Sequence, residues 1–240
     1  MRTLDICFTP ELLHLYNLEQ KAVVIVDILR ATSCMVTGLA HGAEYLIPVS
    51  SIEACKTLQK QGYVAAAERN GEIVAGFDLG NSPFDYQKFA LSGAAIALTT
   101  TNGTLAIEKS KAAAEVLIGA FLNISALAEY LKSSVHNEVL IVCAGWKGNF
   151  NLEDTLFAGA LVTLLTPHFG LASDSALAAQ YLFKAAEADM LGFLKQSSHY
   201  KRLSRLNIKE DIEFCLKYDV YNNIPVLKEA KLVNISLIKH

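Results

Sequence analysis

Short apolar runs alternate with polar or glycine-containing turns and with amphipathic stretches along much of the chain, a grammar that predicts successive strand–turn–helix units. Residues 22–27, 45–49, 63–67, 94–98, 115–119 and 138–143 read as six strands, each a brief apolar run bounded by turn formers. Helices are predicted over 32–41, from Ser50 to Gly62, over 105–110 and 125–131, and, strongly apolar, over 152–165. Ser50 and Glu53 have capping-box spacing. Asn70-Gly71 is a hairpin signal, so the sheet need not be wholly parallel. Residues 72–88 lack periodicity and are punctuated by glycine, asparagine and proline, which marks a functional loop rather than a linker. After Pro167 the pattern turns helical, over 174–190 and 209–218, and ends in a tail around Ile224-Pro225-Val226-Leu227. The predicted fold is a three-layer α/β/α arrangement with a largely parallel or mixed sheet and a helical C-terminal third. No linker, low-complexity tract or repeat divides residues 1–240, which are expected to form one domain or two intimately packed subdomains.

One stretch stands out. Val23-Val24-Ile25-Val26 is the signature of a strand buried on both faces, and it runs into Asp27, Arg30 and then Thr32-Ser33 at a predicted helix start. Ligands of open α/β sheets bind at the carboxyl ends of such strands. An arginine at a helix N-terminus opposes the helix dipole. Two explanations stand for Arg30: an Asp27–Arg30 ion pair closing a tight turn, or an anionic ligand.

Composition narrows the classes. A chain of 240 residues with 52% hydrophobic content can bury a large core. A formal charge of −3 with interspersed signs gives no nucleic-acid or membrane surface. The five cysteines are widely spaced and none is near a zinc-ligand pattern, which predicts reduced thiols. With no signal-peptide pattern and no apolar run of membrane-spanning length, a soluble, cytoplasmic protein is expected. The apolar composition is compatible with a homodimer.

If the strands are parallel, their carboxyl ends place Asp27 and Arg30, Glu68, Thr100-Thr101-Asn102-Gly103-Thr104, Asn123, and Trp146-Lys147 on one edge, with Glu153-Asp154 at the next helix start. Carboxylates suit Mg²⁺ or a similar hard ion, while arginine, lysine and helix N-termini suit a phosphate or sulfonate. Asn102-Gly103 permits positive φ, so Thr99–Thr104 serves either as an anion cradle or as an ordinary N-cap. Glu153 and Asp154 have a second reading as acids that complement a helix dipole. Trp146, the only tryptophan, walls a pocket or plugs the sheet end, and His199 sits in a basic loop that either closes over the site or faces solvent. The chain lacks a P-loop, GxGxxG, HExxH and GxSxG. Asp27 also has no second aspartate two positions on, as haloacid-dehalogenase-type phosphatases have, and no arginine follows Cys143 at tyrosine-phosphatase spacing.

Five blocks in order resemble one family. They are Val26-Asp27-Ile28-Leu29-Arg30-Ala31-Thr32-Ser33, Glu68-Arg69-Asn70-Gly71, Gly76-Phe77-Asp78-Leu79-Gly80-Asn81-Ser82-Pro83, Thr100-Thr101-Asn102-Gly103-Thr104, and Cys143-Ala144-Gly145-Trp146-Lys147-Gly148 through Leu152-Glu153-Asp154. Together they resemble the 2-phosphosulfolactate phosphatase (ComB-type) family, with a looser match in the C-terminal third. The resemblance implies a Mg²⁺-dependent phosphatase that converts 2-phospho-3-sulfolactate to 3-sulfolactate and phosphate, a coenzyme M biosynthesis step, with a small anionic phosphorylated substrate. On that reading Mg²⁺ lies between carboxylates of Asp27, Glu68, Glu153 or Asp154. Arg30 and Lys147 take the two ends of a doubly anionic substrate. Asn81, Ser82 and Thr100 to Thr104 offer neutral donors, and Asn123 and Trp146 complete the wall. Metal-assisted attack by water is favoured, with Asp27 as an aspartyl nucleophile left open. The alternatives are another 2-phospho-hydroxy acid as substrate, or a non-catalytic binding protein for phosphate or sulfonate esters.

Overall fold

The computed structural model describes residues 1–206 and 208–235. The Val/Ile/Ala runs become the strands β1 (Thr3–Cys7), β2 (Lys21–Val26), β3 (Tyr45–Pro48), β4 (Val64–Arg69), β5 (Glu72–Ile73), β6 (Ala95–Thr99), β7 (Glu115–Gly119), β8 (Glu138–Cys143), β9 (Gly170–Leu171), β10 (Ile224–Lys228) and β11 (Lys231–Ile235). Between them lie helices α1 (Ala31–Ala40), α2 (Ile52–Gln59), α3 (Pro83–Lys88), α4 (Gly103–Lys109), α5 (Ile124–Ser133), α6 (Leu152–Leu165), α7 (Asp174–Ala186), α8 (Met190–Leu194), α9 (Ser198–Leu203) and α10 (Lys209–Cys215). The fold is α/β with a mixed, mostly parallel sheet ordered β5-β4-β6-β3-β11-β10-β7-β2-β8-β1-β9.

Two parallel blocks make up this sheet. β4, β6 and β3 form one, and β7, β2, β8, β1 and β9 the other. The C-terminal hairpin β10–β11 is wedged between them, antiparallel to both neighbours and to itself. Those successive reversals make the blocks run in opposite senses. Each seam is narrow, a single paired position at Val226–Leu117 and at Leu232–Leu46. The carboxyl ends therefore do not lie along one edge of a uniformly parallel sheet.

The apolar helix α6 is explained by its surroundings. It packs on β2 and β8 from one side and on α7 from the other, and a helix covered all round is apolar all round. Gly159 permits the approach, since a Cβ there would run into the carbonyl oxygen of Ala179. The Asn70-Gly71 hairpin forms as expected: both residues have positive φ (58° and 90°), and Glu68 and Arg69 pair with Ile73 and Glu72. α2 is capped by Ser51, one residue after the predicted cap, through a bond from the Ala54 amide (3.1 Å). All five cysteines are buried and unpaired in disulfides. Among the described residues no helix is long and apolar enough to cross a membrane.

Candidate active site

A narrow pocket opens where the two blocks meet. Asp27 and Trp146, just beyond β2 and β8, come from one block; Glu68 in β4 and Asn102 beyond β6 come from the other. Arg30 and Asn81 also line it, and α9 lies across it with His199, Arg202 and Leu203.

Asp27 ends the most deeply buried strand. Its amide donates to Thr32 Oγ1 (3.1 Å), which ties the strand end to the first turn of α1. Burial pushes its carboxyl up to about 6, an effect increased by the charge of Glu68 and opposed by His199 and by a bond from the Ala31 amide. Gly103 is required beside it, because a Cβ there would stand 2.9 Å from Ala31 Cβ and 3.1 Å from Asp27 Oδ2. Glu68, buried at the end of β4, accepts the Gly71 amide on Oε1, while Thr101 Oγ1 lies 3.5 Å from Oε2.

Arg30 follows a cis Leu29–Arg30 peptide and is 3% exposed. Its guanidinium pairs with the buried Asp211 and donates to the Gly71 carbonyl (2.8 Å), leaving Nε without a partner. The Asp27–Arg30 pair offered as one explanation of the sequence does not form. Asp211 also accepts from Ser82 Oγ (2.7 Å), so Ser82 holds the arginine's counter-ion and lines a neighbouring cleft with Lys209 rather than the pocket itself.

The consecutive acids of α6 diverge. Asp154 accepts the Ile28 amide (2.9 Å) on one oxygen and the Gly145 amide (3.0 Å) on the other, binding the loops after β2 and β8 together. Its carboxyl is raised well above the usual range by burial and by Glu153, against the pull of those two amides. Glu153 instead pairs through Oε1 with Nδ1 of His199, and its Oε2 is buried without a partner. Asn151 Nδ2 lies 3.3 Å from the same imidazole nitrogen, whose proton goes to Glu153. His199 is buried, and with Nδ1 so engaged the imidazole presents Nε2 as its remaining polar atom.

Trp146 stands on a turn that only glycine admits, for Gly145 has φ +62° and a Cβ there would strike the Asn149 carbonyl. Its ring stacks with His199 (centroids 5.9 Å apart) and carries the Arg202 guanidinium 3.7 Å from its centre. Lys147 is exposed; its amide donates to Asn102 Oδ1 (3.3 Å) and its Nζ sits 5.3 Å from the Trp146 ring, off the pocket wall. Thr100 and Thr104 bond to each other through hydroxyls and backbone and, with Thr101, line a separate groove. Asn123 is fully buried and joins β7 to the β10 approach, accepting from the Ala120 amide and donating to the Asn223 carbonyl (both 3.0 Å).

Six predicted positions thus converge: Asp27, Arg30, Glu68, Asn81, Asn102 and Trp146. Glu153 and Asp154 stand immediately behind them, whereas Ser82, Thr100, Thr101, Thr104, Lys147 and Asn123 are engaged elsewhere. The sequence reading left His199 without a role and missed Arg202 and Asp211. The mixture of a histidine and two cations in 196–202 was the available signal.

Among the described residues no three His, Cys, Asp or Glu side chains form a ready-made metal cage. Mg²⁺ does not need one, being commonly held by one or two carboxylates together with water and phosphate oxygens. Asp27 and Glu68, which both line the pocket, supply that donor set.

Residues 7–230 match the family model described as 2-phosphosulpholactate phosphatase. A Thermotoga maritima protein named probable 2-phosphosulfolactate phosphatase is 45% identical over 209 residues, covering 87% of this chain and 90% of its own. Proteins of the same name from Caldanaerobacter subterraneus subsp. tengcongensis and Clostridium acetobutylicum are 41% and 35% identical, covering 89% and 96% of this chain and 90% and 99% of theirs. Matched along nearly its whole length, the chain belongs to the 2-phosphosulpholactate phosphatase family and is a phosphoric monoester hydrolase.

Proposed function

We propose that this protein is a Mg²⁺-dependent phosphatase that hydrolyses 2-phospho-3-sulfolactate to 3-sulfolactate and phosphate, the step expected in coenzyme M biosynthesis. The observation that carries this reading is the pairing, in one pocket, of the half-buried Asp27 and buried Glu68 carboxylates with two arginines and a histidine. Asp27 and Glu68 would hold the ion, which supplies Lewis-acid stabilisation of charge on the phosphoryl oxygens.

The chain's own groups divide the remaining work. Arg30 turns its free Nε–H to a phosphoryl oxygen while Asp211 and the Gly71 carbonyl fix its guanidinium. Asn81 and Asn102 provide neutral polar contacts. Water attacks phosphorus and its protons leave with the product phosphate, while His199, oriented by Glu153 through Nδ1, delivers a proton from Nε2 to the ester oxygen as that oxygen's bond to phosphorus breaks. A secondary alkoxide is a poor leaving group, so this proton matters. Leu29, Leu203 and the Trp146 ring limit entry of bulk water.

Phosphate release from 2-phospho-3-sulfolactate, 2-phospholactate and phosphoglycolate, with Mg²⁺ and with EDTA, tests this reading. Turnover of the sulfonated substrate that stops in EDTA and returns with Mg²⁺ is expected. Equal turnover in EDTA, or preference for an unsulfonated ester, contradicts it.

A further inference from the structure

Two arginines reach the pocket, and their circumstances differ. Arg30 is buried and its charge is balanced by Asp211, while its Nε–H has no partner. Arg202 is half-buried on α9, and among the described residues no carboxylate forms an ion pair with it. Its guanidinium lies against the Trp146 ring, 3.7 Å from the centroid. That contact holds the guanidinium over the ring, and among the described residues no acceptor takes its N–H groups, which leaves them for an oxyanion. The same ring also stacks on His199, one helical turn before Arg202. The arginine is therefore registered against the group that faces the ester oxygen.

Taking the proposed reaction as given, we infer that Arg202, seated on Trp146, reads the acidic group of the substrate remote from the phosphoryl ester. Asp27, Glu68 and Arg30 address the phosphoryl end from the sheet, so Arg202 on the opposing helix, with no carboxylate in ion-pair contact among the described residues, is the cation left for a second oxyanion. A phosphate ester without a second acid would leave that guanidinium unanswered. Arg202 is thus a specificity-determining residue rather than a member of the proton-transfer machinery. A lysine would keep the charge but lose both the fork and the stacked plane.

The test compares wild type, Arg202→Ala and Arg202→Lys, with Mg²⁺, on 2-phospho-3-sulfolactate, 2-phospholactate and p-nitrophenyl phosphate. The readout is the ratio of kcat/KM for each acid-bearing ester to that for p-nitrophenyl phosphate, which carries no second acid. Arg202→Ala should lower the ratio by about 10- to 100-fold, mainly through KM, the scale of one charge-assisted hydrogen bond. Arg202→Lys should fall between the two. A loss confined to the sulfonated ester assigns the sulfonate as the group read, and a loss on 2-phospholactate as well assigns the carboxylate. Trp146 is the only tryptophan, so its fluorescence follows binding of 3-sulfolactate without turnover, and its Kd should rise by a similar factor in Arg202→Ala. Ratios and Kd unchanged by substitution overturn the inference while leaving the phosphatase intact. Wild type inactive on every ester, with no fluorescence response, overturns the proposed reaction as well.

Discussion

Arg30 pairs with Asp211, 181 positions away in the chain, and not with its near neighbour Asp27. The pair anchors α10, from the C-terminal third, to the loop that follows the central strand, and Ser82 supports the carboxylate from a third segment. Removing one member of a buried pair strands the other's charge, so Asp211→Ala should cost about 3–5 kcal/mol. Replacing both members, as Arg30→Met with Asp211→Leu, should restore part of that stability. Urea denaturation of wild type and the two variants checks this; a double variant less stable than Asp211→Ala would argue that the pair is not a closed unit.

Asp27 is expected to trade stability for function. Its carboxyl titrates at about 6 in the fold against an ordinary 3.8. Below pH 3.8 it is protonated in both folded and unfolded chains and contributes nothing. Between the two values only the unfolded chain ionises it, so stability falls as pH rises, by about 3 kcal/mol in all. Metal-free Asp27→Asn should therefore match wild type near pH 4 and melt higher at pH 7.5, while losing activity at least ~100-fold. Mg²⁺ should raise the wild-type Tm at pH 7.5 and far less at pH 5, where the ligand is protonated. Thermal melts across that range decide it, and a Tm difference independent of pH would speak against the assignment.

His199 should matter in proportion to the need for a proton. His199→Ala is expected to reduce kcat on 2-phospho-3-sulfolactate by about 10²- to 10⁴-fold. The loss on p-nitrophenyl phosphate should be much smaller, because nitrophenolate leaves unprotonated. Equal losses on both esters would reduce His199 to a packing partner of Trp146.

Asp154 is expected to be a structural acid. Its two oxygens receive the Ile28 and Gly145 amides, and Asp154→Ala leaves two buried donors unsatisfied at about 1–3 kcal/mol each. Asp154→Asn keeps one acceptor and should cost roughly half as much. Chemical denaturation with and without Mg²⁺ separates this from metal ligation, since a ligand's loss would abolish the stabilisation by Mg²⁺.

Local pattern carried much of the fold. β7, β8 and α6 occupy the expected residues, because long apolar periodicity and sharp turns bound them. β1 escaped notice since Thr3 and Asp5 interrupt its apolar positions and only pairing with β8 completes it. The central hairpin was equally hidden. Ile224–Lys228 carries a proline and Lys231–Ile235 an asparagine, and nothing local says that such segments occupy the middle of a sheet. The site followed the same division. Asp27, Glu68 and Asn102 were legible as strand ends, whereas His199 and Arg202 reach the pocket, and Asp211 reaches Arg30 behind it, by tertiary packing that no spacing encodes.

The most direct test of the site is a crystal structure with Mn²⁺ in place of Mg²⁺ and with 3-sulfolactate and phosphate bound. Anomalous density between Asp27 and Glu68, with phosphate within hydrogen-bonding distance of Arg30 Nε, is the predicted result. A metal bound away from those two carboxylates, or phosphate seated in the Thr100–Thr104 groove, would contradict it.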